Sequence, residues 1–318
     1  MLYPLKFKPI YKTKVWGSNR IRQIKNDKNI PDKCGEIWEI SAVEDNVSVI
    51  SNGFLKDNTL EEAIEIYMGE IVGDKIFDKF GYEFPLLIKI ISADENLSLQ
   101  VHPDNEVAAE RHNAWGKTEM WYILEAEKDS KLVSGFNKNT DEKTLLSVIE
   151  NNNLSEIVNE TEAKSGDVFF IPAGRIHSIG KGLTIAEIQQ TSDITYRVYD
   201  YGRTDRELHL DLAMDVIDYK KTNNTKTSYL HDPDKSNKII QNEFFTVNFL
   251  PVMNILSKDY YELDSFVVYF CINGKLVIKY DEDMITIEKG ETILIPADLK
   301  SLTLIPEQYS ELLEIYIE

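Results

Sequence analysis

One stretch of this chain occurs twice in outline. KSGDVFFIPAGRIHSI at 164–179 aligns with EKGETILIPADLKSLT at 288–303, laying Gly166 on Gly290, Pro172 on Pro296 and His177 on Ser301. Each copy reads as a glycine turn, an apolar strand, a proline turn and the start of a second strand. A supersecondary unit used twice restricts the chain to a duplicated β architecture.

The remaining patterns agree. FPLLIKIISA at 84–93 is a short apolar run suited to a strand buried on both faces, LSLQVHP at 97–103 alternates, and EMWYILEAE at 119–127 is strand-like again. Strands are also expected in FVVYFCING, GKLVIKY and ETILIPA near the C-terminus. Helical spacing marks 58–80 as one or two helices, 104–112 as a short helix behind an Asp cap, 139–160 as a helical hairpin and 206–219 as a further helix. The expected fold is therefore mainly β with helical insertions, built as two jelly-roll barrels of the cupin type. Residues 1–221 form the expected catalytic unit, with helical insertions at about 58–80 and 139–160. The polar segment 222–237 is the expected linker, and 238–318 a smaller β unit without metal ligands.

Charge and cysteine content bound the function. A net charge of −19 over 318 residues repels nucleic acid and anionic membranes, so an anionic substrate requires a local cluster of Lys and Arg. The two cysteines, Cys34 and Cys271, form no C-x-x-C pair, which points to a reducing cytoplasm. The N-terminal segment has no signal-peptide core and no apolar run spans a bilayer, so neither export nor a membrane partner is expected.

Of five histidines, His102 and His177 fall on expected strands. Residues two apart in a strand share a face, so Gln100 and His102 present an amide oxygen and an imidazole together. Glu119 opens the next β segment, and His177 follows the Gly and Pro turn. These four make an N2O2 set suited to one Zn²⁺ per chain, with Mn²⁺, Fe²⁺, Co²⁺ and Ni²⁺ also compatible with the ligand types.

LSLQVHPDN, GKTEMWYIL, PAGRIHSIGKG and AEIQQTSDITYRVYDYGR resemble the motifs of type I mannose-6-phosphate isomerases, in their short bacterial form. The resemblance is strongest over 84–204 and extends to KVWGSNR and GEIWEIS. It implies zinc ligation by Gln100, His102, Glu119 and His177, and an active-site arginine at Arg197. The implied activity is interconversion of mannose 6-phosphate and fructose 6-phosphate by proton transfer through an enediol. Lys117, Arg203 and Ser98 are the candidates for the phosphate, with Arg175 a further one. Glu187 is the leading candidate for the base, since burial is expected to raise its pKa toward neutrality; Asp193, Tyr199 and His112 are alternatives. Trp16, Trp38 and Trp121 read as core, and Glu36 and Glu39 as structural residues or partners of substrate hydroxyls. The chain is expected to act as a monomer or homodimer. Two rival readings are a non-catalytic sugar-binding cupin and a metal-dependent cupin oxygenase.

Overall fold

In the computed structural model, which describes residues 1–318, the strand Leu86–Ser92 is buried at every position. It lies inside a seven-stranded sheet. The order is Ile10–Thr13, Cys34–Ile40, Leu86–Ser92, Leu183–Gln190, Glu119–Ala126, Val168–Ile171 and Lys226–Thr227, each antiparallel to its neighbours. A five-stranded sheet packs over one face, in the order Tyr196–Tyr199, Leu99–Val101, His177–Ile179, Lys131–Phe136 and Val158–Glu162. Leu97, Leu132 and Ile179 meet Trp121, Phe169 and Ile185 between the two layers.

The other face of the seven-stranded sheet is covered by the C-terminal residues. Ile37, Ile88, Ile90, Met120, Tyr122 and Ile188 share one apolar core with Val247, Phe249, Val268, Phe270, Leu313 and Ile315. Tyr122 and Phe249 stack there, 6.5 Å apart between ring centroids. Burial on both faces explains why these strands carry apolar runs in place of alternation.

The C-terminal residues form a five-stranded and a four-stranded sheet with their own core between them, including Tyr269, Ile278, Ile293 and Leu304. Buried in this unit, Glu314 accepts hydrogen bonds from Tyr260 (2.6 Å) and Ser236 (2.6 Å) and pairs with Lys258 at 2.7 Å. The repeat is structural: Gly166 and Gly290 both have positive φ (87° and 80°) in the turns that precede Val168–Ile171 and Thr292–Ile295. His177 and Ser301 then each open a strand. The expected mainly β fold with two cupin-type jelly rolls is the observed one, each roll being a pair of sheets and not a closed ring of hydrogen bonds.

The helical expectations need correction. Residues 58–80 hold three short helices, Leu60–Tyr67, Gly69–Val72 and Asp74–Phe80, because Met68 and Gly73 take positive φ. The first starts on a capping box between Thr59 and Glu62. The hairpin expected at 139–160 is one helix, Glu142–Glu150, then a single turn and the strand Val158–Glu162, whose alternating VNETE pairs with Lys131–Phe136. Within 206–219 only Leu210–Met214 is helical. The polar segment at 222–237 is sewn to the large sheet: Lys226 and Thr227 pair with Phe169 and Val168, and Tyr229 donates to the Gly166 carbonyl at 2.7 Å. No helix is long and apolar enough to cross a membrane.

Since Phe249 is 1% exposed in the shared core, Phe249→Ala should cost about 3–5 kcal/mol. Trp16, Trp38, Trp115 and Trp121 all lie in the N-terminal unit, so urea unfolding followed by tryptophan fluorescence should show a lowered midpoint. An unshifted midpoint would mean that the two units unfold independently.

Candidate metal and substrate site

Strand pairing aligns the polar residues of the inner face. Trp38 lies opposite Lys89, Lys89 opposite Glu187, and Glu187 opposite Trp121. Residues in register on one face are neighbours, so these four side chains form a row across the sheet. Glu119, two residues before Trp121, points to the same side. From the facing sheet, Gln100 lies opposite both His177 and Arg197.

Both histidines are oriented by their backbone surroundings. Nδ1–H of His102 donates to the Ile194 carbonyl at 2.8 Å, and Nδ1–H of His177 to that of Arg175 at 2.8 Å. Each ring therefore turns an Nε2 lone pair inward. Glu119 sits between them, Oε2 3.5 Å from His102 Nε2 and Oε1 3.5 Å from His177 Nε2. Oε1 is buried and has no hydrogen-bond partner. The His–Glu–His donor atoms all lie within 4.8 Å of one another. The Gln100 amide nitrogen is 3.3 Å from His177 Nε2, and a half-turn of the amide presents Oε1 in its place. As the amide stands, Ser98 donates to Oε1 at 3.1 Å, a bond the half-turn gives up.

A buried carboxylate with one oxygen lacking a donor, and an imidazole nitrogen 3.5 Å from each of its oxygens, fits a divalent metal ion. The electrostatics agree. Burial, reinforced by Lys117 and the His177 ring, depresses the His102 imidazolium far below its ordinary pKa, and burial brings His177 down to about 3. Both rings are neutral, as ligation requires.

Lys117 is buried beside this group. Its ammonium donates to Glu119 Oε2, lies 3.2 Å from His102 Nε2 and is 3.5 Å from Glu187 Oε1. Glu187 is bound by Lys89 at 2.9 Å and by the Trp121 indole N–H at 2.8 Å. Burial alone would raise the Glu187 carboxyl, as the sequence suggested. Lys117, Lys89 and the Trp121 N–H outweigh burial and hold it well below the usual carboxylate range, which corrects that expectation. Glu119 shifts the other way, upward, through burial and the proximity of Glu187.

A cavity of about 400 Å³ adjoins this group through Gln100, Lys117 and Glu187, with Ser98, Asp193 and Arg197 also among its walls; His102, Glu119 and His177 do not themselves line it. Arg197 points into it while Tyr196 packs in the core on the opposite face. Glu36 also lines it and pairs with Lys14 at 3.3 Å, whereas Glu39 is engaged elsewhere by Lys25 at 2.7 Å. Four other candidates do not line the cavity. Arg203 is held by Asp200 and the Asn96 carbonyl, both at 2.8 Å; Arg175 donates to the Phe170 carbonyl at 2.6 Å; Tyr199 donates to Asn152 at 2.9 Å; and His112 Nε2 is 2.7 Å from the Tyr196 hydroxyl. Trp121 is core, as expected, but Trp16 and Trp38 are also cavity wall.

The sequence reading missed Lys12, Lys14, Lys89 and Arg206, all of which line the cavity. Lys89 carried a signal, being the one charge inside an apolar run expected to be buried on both faces. Lys12 and Lys14 stand two apart, as inward-facing residues of a strand do.

Comparison with known proteins places the chain in a family. Residues 4–130 match the phosphomannose isomerase type I catalytic domain, and residues 235–307 match the mannose-6-phosphate isomerase cupin domain. A mannose-6-phosphate isomerase of Bacillus subtilis is 34% identical over 97% of both chains. Another, from Streptococcus mutans, is 32% identical over 95% of both. The crystal structure of mannose 6-phosphate isomerase from Bacillus subtilis superposes over 100% of both chains with a TM-score of 0.88 and 28% identity. With its buried His–Glu–His group inside a cupin jelly roll, the chain belongs to the type I phosphomannose isomerases.

Proposed function

We propose that the chain interconverts mannose 6-phosphate and fructose 6-phosphate with one Zn²⁺ held by Gln100, His102, Glu119 and His177. The observation that carries this reading is the buried Glu119 carboxylate, its Oε1 unpartnered and 3.5 Å from His177 Nε2 and its Oε2 3.5 Å from His102 Nε2, with all three donors within 4.8 Å of one another. Zinc, when bound by these residues, supplies Lewis-acid polarisation of the sugar oxygens.

The chain's own residues supply the rest. Glu187 faces the cavity as a carboxylate and takes the proton from C2 of the aldose. The C2–H electron pair becomes the C1=C2 bond of the enediol, and the proton that O1 gains is the one that O2 gives up. Return of the C2 proton from Glu187 to C1 then gives the ketose. A depressed pKa keeps Glu187 in its accepting form at neutral pH but makes it a weak base, so the polarised carbonyl must acidify the C2–H bond. Lys89 and the Trp121 indole fix its position. Arg197 holds the substrate against this group, its guanidinium charge matching the sugar's phosphate end. Lys117 keeps Glu119 and Glu187 compatible as neighbouring carboxylates.

A coupled assay on mannose 6-phosphate, run with metal analysis of the same protein, tests the reading. His177→Ala should lower bound zinc at least about tenfold, with activity falling in proportion. Arg197→Ala should keep its zinc and lose about 10²–10³ in kcat/KM. Full activity and full metal content in both variants would overturn the proposal.

A further inference from the structure

Six cationic side chains line the cavity: Lys12, Lys14, Lys89, Lys117, Arg197 and Arg206. Four of them are already matched by carboxylates. Lys14 faces Glu36 at 3.3 Å and Lys89 faces Glu187 at 2.9 Å; Lys117 binds Glu119, and Arg206 Nε donates to Asp200 at 2.9 Å. Charges paired in this way contribute little further attraction for an incoming anion.

Lys12 and Arg197 differ. Neither has a carboxylate partner. The Lys12 ammonium rests on two neutral groups, the side-chain carbonyl of Asn46 and the face of Trp38, 4.8 Å from the ring centroid. Arg197 donates through Nη1 to the Glu207 carbonyl at 2.7 Å, and its buried Nε–H has no partner. Both residues lie on edge strands. Lys12 lies on Ile10–Thr13, the outermost strand of the seven-stranded sheet, and Arg197 on Tyr196–Tyr199, the outermost strand of the facing sheet. Glu119 and His177 lie on interior strands.

We infer that Lys12 is a specificity-determining residue that reads the substrate's phosphate group, sharing the dianion with Arg197 at the edge-strand end of the cavity. This deepens the isomerase reading and rests on it. Two unneutralised cations match the charge of a phosphate monoester at neutral pH. They also solve the problem set by the net charge of −19, because attraction at this site comes from two charges that the protein has left uncancelled. Asn46 and Trp38 hold the ammonium in place without neutralising it. Glu187, already matched by Lys89 and Lys117, is left to act on C1 and C2.

The test compares wild type, Lys12→Met, Lys12→Arg and a surface control, Lys8→Met, whose ammonium pairs with Asp57 outside the cavity. Steady-state kinetics on mannose 6-phosphate, inhibition by inorganic phosphate, metal content and thermal unfolding are measured on each. In Lys12→Met, KM and the phosphate inhibition constant should rise together by about 10- to 100-fold, the loss of one hydrogen bond to a charged group, while kcat falls less than about threefold. Lys12→Arg should recover most of the loss and Lys8→Met should match wild type, with zinc content and melting temperature unchanged throughout. An unaltered KM and phosphate inhibition constant in Lys12→Met would overturn the inference. Absence of turnover in wild type would instead sink the isomerase reading, and calorimetric binding of inorganic phosphate to wild type and Lys12→Met would still decide the role of Lys12.

Discussion

The structure turns on a chain of opposite charges buried along one face of one sheet: Lys117 with Glu119 and Glu187, Lys89 with Glu187 and, at 3.9 Å, with Glu36. Charges taken out of water are tolerated only when each is met by its opposite, and removal of one partner from such a set costs about 3–5 kcal/mol. The row therefore depends on the register of four strands. A slip of one residue would turn Lys89 and Glu187 into the apolar core behind and bring Ile88, Ile90 and Ile188 to the cavity. Register and site chemistry are thus one specification, enforced from both faces of the sheet.

The legible part of this protein was the part written in short-range patterns. The glycine and proline turns of the repeat gave two jelly rolls, and the alternation in LSLQVHP set Gln100 and His102 side by side, one strand away from His177. The apolar run at 84–93 announced a doubly buried strand. Composition did not reveal which lysines and arginines would be cancelled by neighbours. Arg203 ends the motif AEIQQTSDITYRVYDYGR and is consumed by Asp200, whereas Lys12, just outside KVWGSNR, has no carboxylate partner. Partnership of this kind is a tertiary property.

The same limit explains Glu187. Its placement in AEIQQ, inside an apolar strand, correctly suggested burial. The sign of its pKa shift was set by Lys117, inside GKTEMWYIL, and by Lys89 on the adjacent strand, and neither is near it in sequence. Helical periodicity over-extended for a related reason. In 139–160 the apolar spacing of the true helix runs into a strand that borrows its order from Lys131–Phe136, and only the pairing tells the two apart.

The seven-stranded sheet is the back wall of the cavity and also half of the core beneath the C-terminal jelly roll. That roll cannot be regarded as an appendage. Trimming the chain at its polar connector would bare a broad greasy slab, with Ile88, Ile90, Met120, Tyr122 and Ile188 facing water. Such a fragment would seek another copy of itself before it found a sugar. The duplicated half thus keeps dry the back of the sheet whose front carries Lys89, Glu119 and Glu187, which gives a physical reason for the two halves to stay attached.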